Sequence, residues 1–245
     1  MTKFANVLSI DWDFFIDATT FERAMLFPDN NTETIPQEIQ DICWANRYTN
    51  PKLIGITIDH LAIHTISRLF GSNTFNPIKI YVMDSHKYCY DFVKTILNAG
   101  ISIKHLINID YHHDCYYYSP YSIHCGNWLY KLILEHPEIH YRWIKRLDDL
   151  ENDELTPCIE LDLSTDLNEI FKFDWNFVFI CKSSVWSPPH LDCDFSNLVN
   201  RAIKDHNSFI EQDVLNSRYT DTMKYMAIIE SNILKKFSND MKGVL

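Results

Sequence analysis

Five short apolar runs, rich in β-branched residues and closing on polar side chains, punctuate the chain: NVLSID (6–11), IKIYVMD (78–84), SIKHLINID (102–110), PCIELDL (157–163) and NFVFICKSS (176–184). Runs of this length and composition read as buried strands. Helical spacing fills the stretches between and after them. In 53–70 the residues Ile54, Ile58, Leu61, Ile66 and Leu69 fall on one stripe. SHKYCYDFVKTILNAG (85–100) stops at Gly100, NWLYKLILEH (127–136) runs into Pro137, and YTDTMKYMAIIESNILKKF (219–237) reads as a closing helix. Such alternation predicts an α/β fold, a three-layer α/β/α sandwich with a mostly parallel sheet. In such sheets ligands gather beyond the carboxyl ends of the strands, the end at which Asp11, Asp84 and Asp110 stand. No repeat or linker interrupts the pattern, so 1–245 reads as a single domain, with 30–40 and 146–157 as polar excursions.

Composition narrows the function classes. Apolar residues make up 46%, with 15 Phe, 13 Tyr and 6 Trp, enough for a sizeable core. Only 5 glycines occur, with neither GxGxxG nor GxxxxGK[ST], which argues against a Gly-rich nucleotide site. The net charge of −11 disfavours nucleic acid and suits a cationic ligand or metal ions that neutralise clustered carboxylates. The 7 cysteines are scattered, without CxxC, as expected of reduced thiols in the cytoplasm. No apolar stretch of spanning length and no signal pattern is visible, so no membrane partner is expected.

The stretch LSIDWDFF (8–15) places two like charges, Asp11 and Asp13, at the end of a strand-like run. A second motif, NIDYHHDCYYYSP (108–120), spaces Asp110, His112 and Asp114 two residues apart. If that segment is extended, all three side chains share one side and His113 points the other way. His86, in VMDSHKY (82–88), follows its own strand and can reach over the same edge. One strand–helix–strand unit separates it from Asp110, which predicts that those two strands are neighbours. Together Asp11, Asp13, His86, Asp110, His112 and Asp114 offer four carboxylates and two imidazoles. This oxygen-rich donor set suits Mn²⁺ better than a thiolate zinc site, and bridging carboxylates would allow two ions.

These motifs resemble those of the ureohydrolase superfamily, the arginases and agmatinases: a metal-binding His, then D-x-H-x-D, then S-[apolar]-D-x-D. Here they read DSH (84–86), DYHHD (110–114) and SIDWD (9–13). The likeness is greatest to a branch that includes peptide arginases, which convert arginine residues of a peptide to ornithine. It covers residues 9–15 and 84–128. The S-x-D-x-D element comes first here and last in ordinary arginases, so the resemblance implies an arginase-like sheet with permuted motif order. Asp162, in IELDLSTD (159–166), is the rival for that third motif.

The resemblance implies two Mn²⁺ ions that lower the pKa of a bridging water, and attack of the resulting hydroxide on the guanidinium carbon. Asp114 would hold that hydroxide in place. His124, in SIHCGNW (122–128), resembles the arginase proton shuttle, a task that suits a near-neutral pKa. Tyr116, Tyr117, Tyr118 and Tyr121 stand where enzymes acting on free arginine carry small polar groups, which leans toward an arginine-containing peptide as substrate. The acid that receives the guanidinium is not identified. Two other classes compete. A haloacid-dehalogenase-type phosphatase would use Asp11 as nucleophile, Asp13 as acid/base and Mg²⁺, but Phe15 stands where its Thr belongs and DYHHD is left without a role. A non-catalytic, metal-dependent peptide-binding relative is the other; a Cys125–His124 nucleophile is disfavoured because adjacent residues point apart.

Overall fold

The computed structural model describes residues 4–28, 35–116, 122–147 and 159–242. Its centre is a sheet of seven strands, every adjacent pair parallel. In chain order these are β1 (Phe4–Asp11), β4 (Lys79–Met83), β5 (Ser102–Ile109), β6 (His140–Ile144), β7 (Asp162–Ser164), β8 (Phe177–Cys181) and β9 (Ser208–Ile210). Their spatial order is β7-β6-β5-β1-β8-β4-β9. A two-stranded antiparallel ribbon, β2 (Ile16–Asp17) with β3 (Thr57–Ile58), lies beside it.

The helices are α1 (Thr20–Leu26), α2 (Gln37–Tyr48), α3 (His60–Phe70), α4 (Tyr88–Asn98), α5 (Trp128–Glu135), α6 (Asp192–Ile203) and α7 (Tyr219–Lys242). Period-two alternation along the strands feeds two separate cores. Leu8, Ile10, Ile107, Ile109, Val178 and Ile180 face one side, where Trp44 of α2, Ile66 of α3 and Phe195 of α6 pack. Val7, Leu106, Phe177 and Phe179 face the other, against Phe92 of α4 and Trp128 of α5. The result is the three-layer α/β/α sandwich expected from the alternation.

Local chemistry explains the element ends. Asp59 caps α3, its carboxylate accepting from the backbone N–H groups of Leu61 and Ala62 at 3.0 Å each. Thr19 and Glu22 form a capping box at α1. Beyond α4 the chain turns at Gly100 with φ +76°, a conformation glycine adopts freely, so the expected stop falls where the sequence put it.

Several expectations need correction. The strands of His86 and Asp110 are not neighbours: β8 and β1 lie between β4 and β5. The stripe across 53–70 is not one helix, because a 3₁₀ turn (Leu53–Gly55) and β3 precede α3; Ile54 and Leu61 are 51% and 77% exposed. Part of the polar excursion at 30–40 opens α2, while residues 29–34 lie outside the described residues. So do 148–158, most of the second excursion and the start of the PCIELDL run; among its described residues the strand begins at Asp162, as β7 (Asp162–Ser164). Strands β6 and β9 and helices α1, α2 and α6 were not anticipated. No helix among the described residues is long and apolar enough to cross a membrane.

Candidate metal centre

The alternation that builds the cores also aims the polar groups. Ala5, Val7, Ser9 and Asp11 share one face of β1, the face that α4 and α5 cover. On β5 the same parity runs Leu106, Asn108, Asp110, and Ser9 pairs in register with Asn108. On β8 it runs Phe177, Phe179, Cys181 and continues to Ser183. At the carboxyl edge of three adjacent strands the polar ends therefore converge on one side. There the turn between β4 and α4 swings His86 over the edge. Its ring stacks on Phe179 at 5.8 Å, and its Nε2 lies 2.6 Å from Ser9 Oγ.

All six expected donors meet. His86 Nδ1 is 3.1 Å from Asp11 Oδ2, 3.0 Å from Asp110 Oδ2 and 3.0 Å from Asp114 Oδ2. His112 Nδ1 is 3.1 Å from Asp13 Oδ2. Two three-donor groups result, Asp11–His86–Asp110 and Asp13–Asp110–His112, with Asp110 common to both. The route differs from the expected one, however. Residues 110–114 are bent rather than extended, and Asp114 has φ +53°. Aspartate is among the few residues that enter the left-handed region readily, and here it turns its carboxylate back toward His86. His113 does point elsewhere, into a buried site where it accepts the Cys115 N–H at 2.8 Å.

The electrostatics demand a counter-charge. Asp11, Asp13, Asp110 and Asp114 are all 4% exposed or less, and burying a carboxylate costs several kcal/mol even after relaxation. Burial and the neighbouring Asp13 and Asp110 carboxylates push Asp11 up to about 7. Burial and the Asp114 charge push Asp110 up to about 8. Burial alone would lower His112, but the Asp13 carboxylate reverses this and holds it at about 9. Burial would also lower His86, and the surrounding carboxylates, Asp114 first, raise it well above its ordinary value. In the metal-free chain, protons held on Asp11, Asp110 and the two imidazoles offset the buried charge; two divalent ions would balance the same four carboxylates once those protons are displaced.

Two buried atoms point the same way. His86 Nδ1 and Asp13 Oδ2 have no hydrogen bond, although charged atoms lie 3.0–3.1 Å from each. Buried polar atoms short of hydrogen bonds are rare, and a cation in each donor group would satisfy the one that belongs to it. The donor chemistry, carboxylate with imidazole and no thiolate, fits Mn²⁺.

Residues that the sequence reading did not assign hold the donors in place. Ser183 Oγ donates to Asp11 Oδ2 at 2.7 Å, Asn108 Nδ2 to Asp110 Oδ2 at 3.1 Å, and the His112 N–H to Asp110 Oδ1 at 2.9 Å. Trp128 Nε1 donates to Asp114 Oδ2. Strand parity could have found Ser183, since it continues Phe179 and Cys181. Asp162 takes no part: it sits on the outer strand β7, where it pairs with Arg142 at 2.6 Å. Asp84 is also elsewhere, accepting from the Ser184 N–H at 3.2 Å.

A cavity of about 550 Å³ opens onto the cluster, with Asp11, His86, His112 and Asp114 in its wall and His124, Tyr116 and Trp186 around them. Asp13 is not in that wall. Burial and the charge of Lys131 lower the pKa of His124. Tyr117, Tyr118 and Tyr121 lie outside the described residues. No protein-family model, curated protein or solved structure gives a significant match to this chain.

Proposed function

We propose that this protein is a binuclear manganese hydrolase that cleaves the guanidinium group of arginine, within a peptide, to give ornithine and urea. The observation that carries this reading is the pair of donor groups sharing Asp110, three of whose members, Asp11, His86 and His112, reach the wall of a cavity that His124 also lines. Asp11, Asp110 and His86 would hold one ion, and Asp13, Asp110 and His112 the other, with Asp114 beside His86. Bound there, two divalent ions supply a strong oxygen nucleophile near neutral pH and a counter-charge for developing negative charge.

The chain's own groups would do the rest. Trp128, Ser183 and Asn108 fix the carboxylates so that little reorganisation accompanies reaction. Tyr116 and Trp186 line the cavity, where aromatic rings would favour a planar cation. His124, neutral near pH 7, would take a proton and deliver it to the departing amine. The six cysteines of the described residues are free, which suits a reducing compartment such as the cytoplasm.

The test is urea release from arginine, agmatine and an arginine-containing peptide, with Mn²⁺ and after chelation. Manganese-dependent urea, greatest for the peptide, is expected. Phosphate release from phosphomonoesters without urea would replace this reading with the phosphatase. Bound manganese with no turnover would leave a binding module.

A further inference from the structure

Lys87 is the one lysine or arginine among the described residues that line the cavity. It directly follows His86, and its half-buried side chain belongs to the turn that opens α4. That turn is held by backbone bonds from Tyr88 N–H to Ser85 C=O at 3.3 Å and from Cys89 N–H to His86 C=O at 3.0 Å. Elsewhere in this acidic chain, Lys94, Lys172, Lys182 and Lys224 lie 3.0, 3.3, 3.3 and 2.7 Å from a carboxylate. Lys87 has no such partner among the described residues. Its ammonium lies over the ring of Tyr88, 4.9 Å from the centroid. A half-buried lysine that lines the cavity and follows His86 directly is placed to meet an anionic group of a bound molecule.

We infer that Lys87 recognises a carboxylate on the substrate, so that the preferred guanidinium compound carries an anionic group as well. This deepens the hydrolase reading and rests on it for the identity of the guanidinium end. Physically, a half-buried ammonium in the cavity wall offers an anionic group of a ligand a charge-assisted partner. Two sources share this chemistry: the α-carboxylate of free arginine, and the side chain of an acidic residue next to arginine in a peptide.

Calorimetric binding to the manganese-loaded protein tests this without requiring turnover. The probes form two pairs: arginine against agmatine, and an arginine peptide with Glu beside the arginine against the same peptide with Gln. A charge-assisted hydrogen bond at a half-buried position is worth roughly tenfold in affinity. The wild type should therefore prefer the carboxylate-bearing member of at least one pair by about that factor. Lys87→Met, which keeps the apolar stem, should abolish the preference, Lys87→Glu should reverse it, and Lys87→Arg should retain it. A preference confined to the first pair identifies the α-carboxylate, and one confined to the second identifies an acidic neighbour; either supports the inference. Equal weakening of both members by Lys87→Met, or the same preference in that variant as in the wild type, overturns it.

Urea assayed in the same samples separates the two levels. Lys87-dependent preference without urea retains the carboxylate site and removes the hydrolase reading. Urea without Lys87 dependence does the opposite. No binding of any of the four probes overturns both.

Discussion

Replacing Asp192 by Asn should cost this protein much of its stability while leaving every candidate metal donor chemically intact. Asp192 is 0% exposed, and two cations share it. Arg218 donates to it from its backbone N–H at 2.8 Å, from Nε at 2.9 Å and from Nη2 at 2.6 Å, and Lys182 Nζ lies 3.3 Å away. Through the same guanidinium, Nη1 bonds to the Ser184 C=O at 2.5 Å and Nη2 to the Ser187 C=O at 2.8 Å. This ties down the loop that carries Ser183 and Trp186. The amide would leave two buried cations without their counter-charge, and breaking a buried pair in this way costs about 3–5 kcal/mol. For a chain of this length each kcal/mol lowers Tm by roughly 2–4 °C, so a fall of roughly 6–20 °C is expected by scanning calorimetry. Looser hold on Ser183 should also weaken manganese binding.

The pH dependence has a defined sign. Burial raises the Asp192 carboxyl, but Arg218 and Lys182 more than reverse this and hold it below the usual carboxylate range. Its contribution is therefore fully present above the unfolded-state value of about 4 and is lost as pH falls through the lower folded-state value. The difference between wild type and variant should be flat from neutral pH down to about 5 and shrink only in stronger acid. A Tm within about 2 °C of wild type at pH 7 would refute the pairing as described.

Other outcomes follow from the centre itself. His124→Ala should keep its manganese yet slow urea release by roughly 10²–10⁴-fold, and normal turnover would remove His124 from proton transfer. Manganese must displace protons from Asp11, Asp110 and His112, held at about 7, about 8 and about 9 in the metal-free chain. Apparent affinity should therefore rise with pH through that range and proton release should accompany binding, both readable in one calorimetric titration series. Affinity independent of pH would mean that these groups do not bind the ion.

The sequence carried the donors because each lies in a short motif at the end of an apolar run, where parity alone says which face it joins. It did not carry strand order. Nothing local to IKIYVMD or SIKHLINID says that β1 and β8 will separate them, so the neighbour expectation failed although the residues still met. Strand β6 escaped notice because His140 and Arg142 interrupt its apolar pattern; Arg142 is neutralised by Asp162 on the neighbouring strand β7 and by Glu169 in the 3₁₀ turn that follows it. Helix α6 opens on DCD, which reads as polar until Arg218, far along the chain, makes a buried Asp192 tolerable. The bend at 110–114 was hidden for a related reason: the spacing fits an extended segment, and only the left-handed conformation of Asp114 reveals the turn.

Counting manganese on the purified chain tests the central claim most directly. Metal-free protein, equilibrated with excess Mn²⁺, desalted and measured by elemental analysis, should retain two ions per chain. Asp110→Asn, altering the one carboxylate common to both donor groups, should lose both while remaining folded by circular dichroism. A wild type that retains none, or a folded Asp110→Asn variant that retains two, would contradict the account.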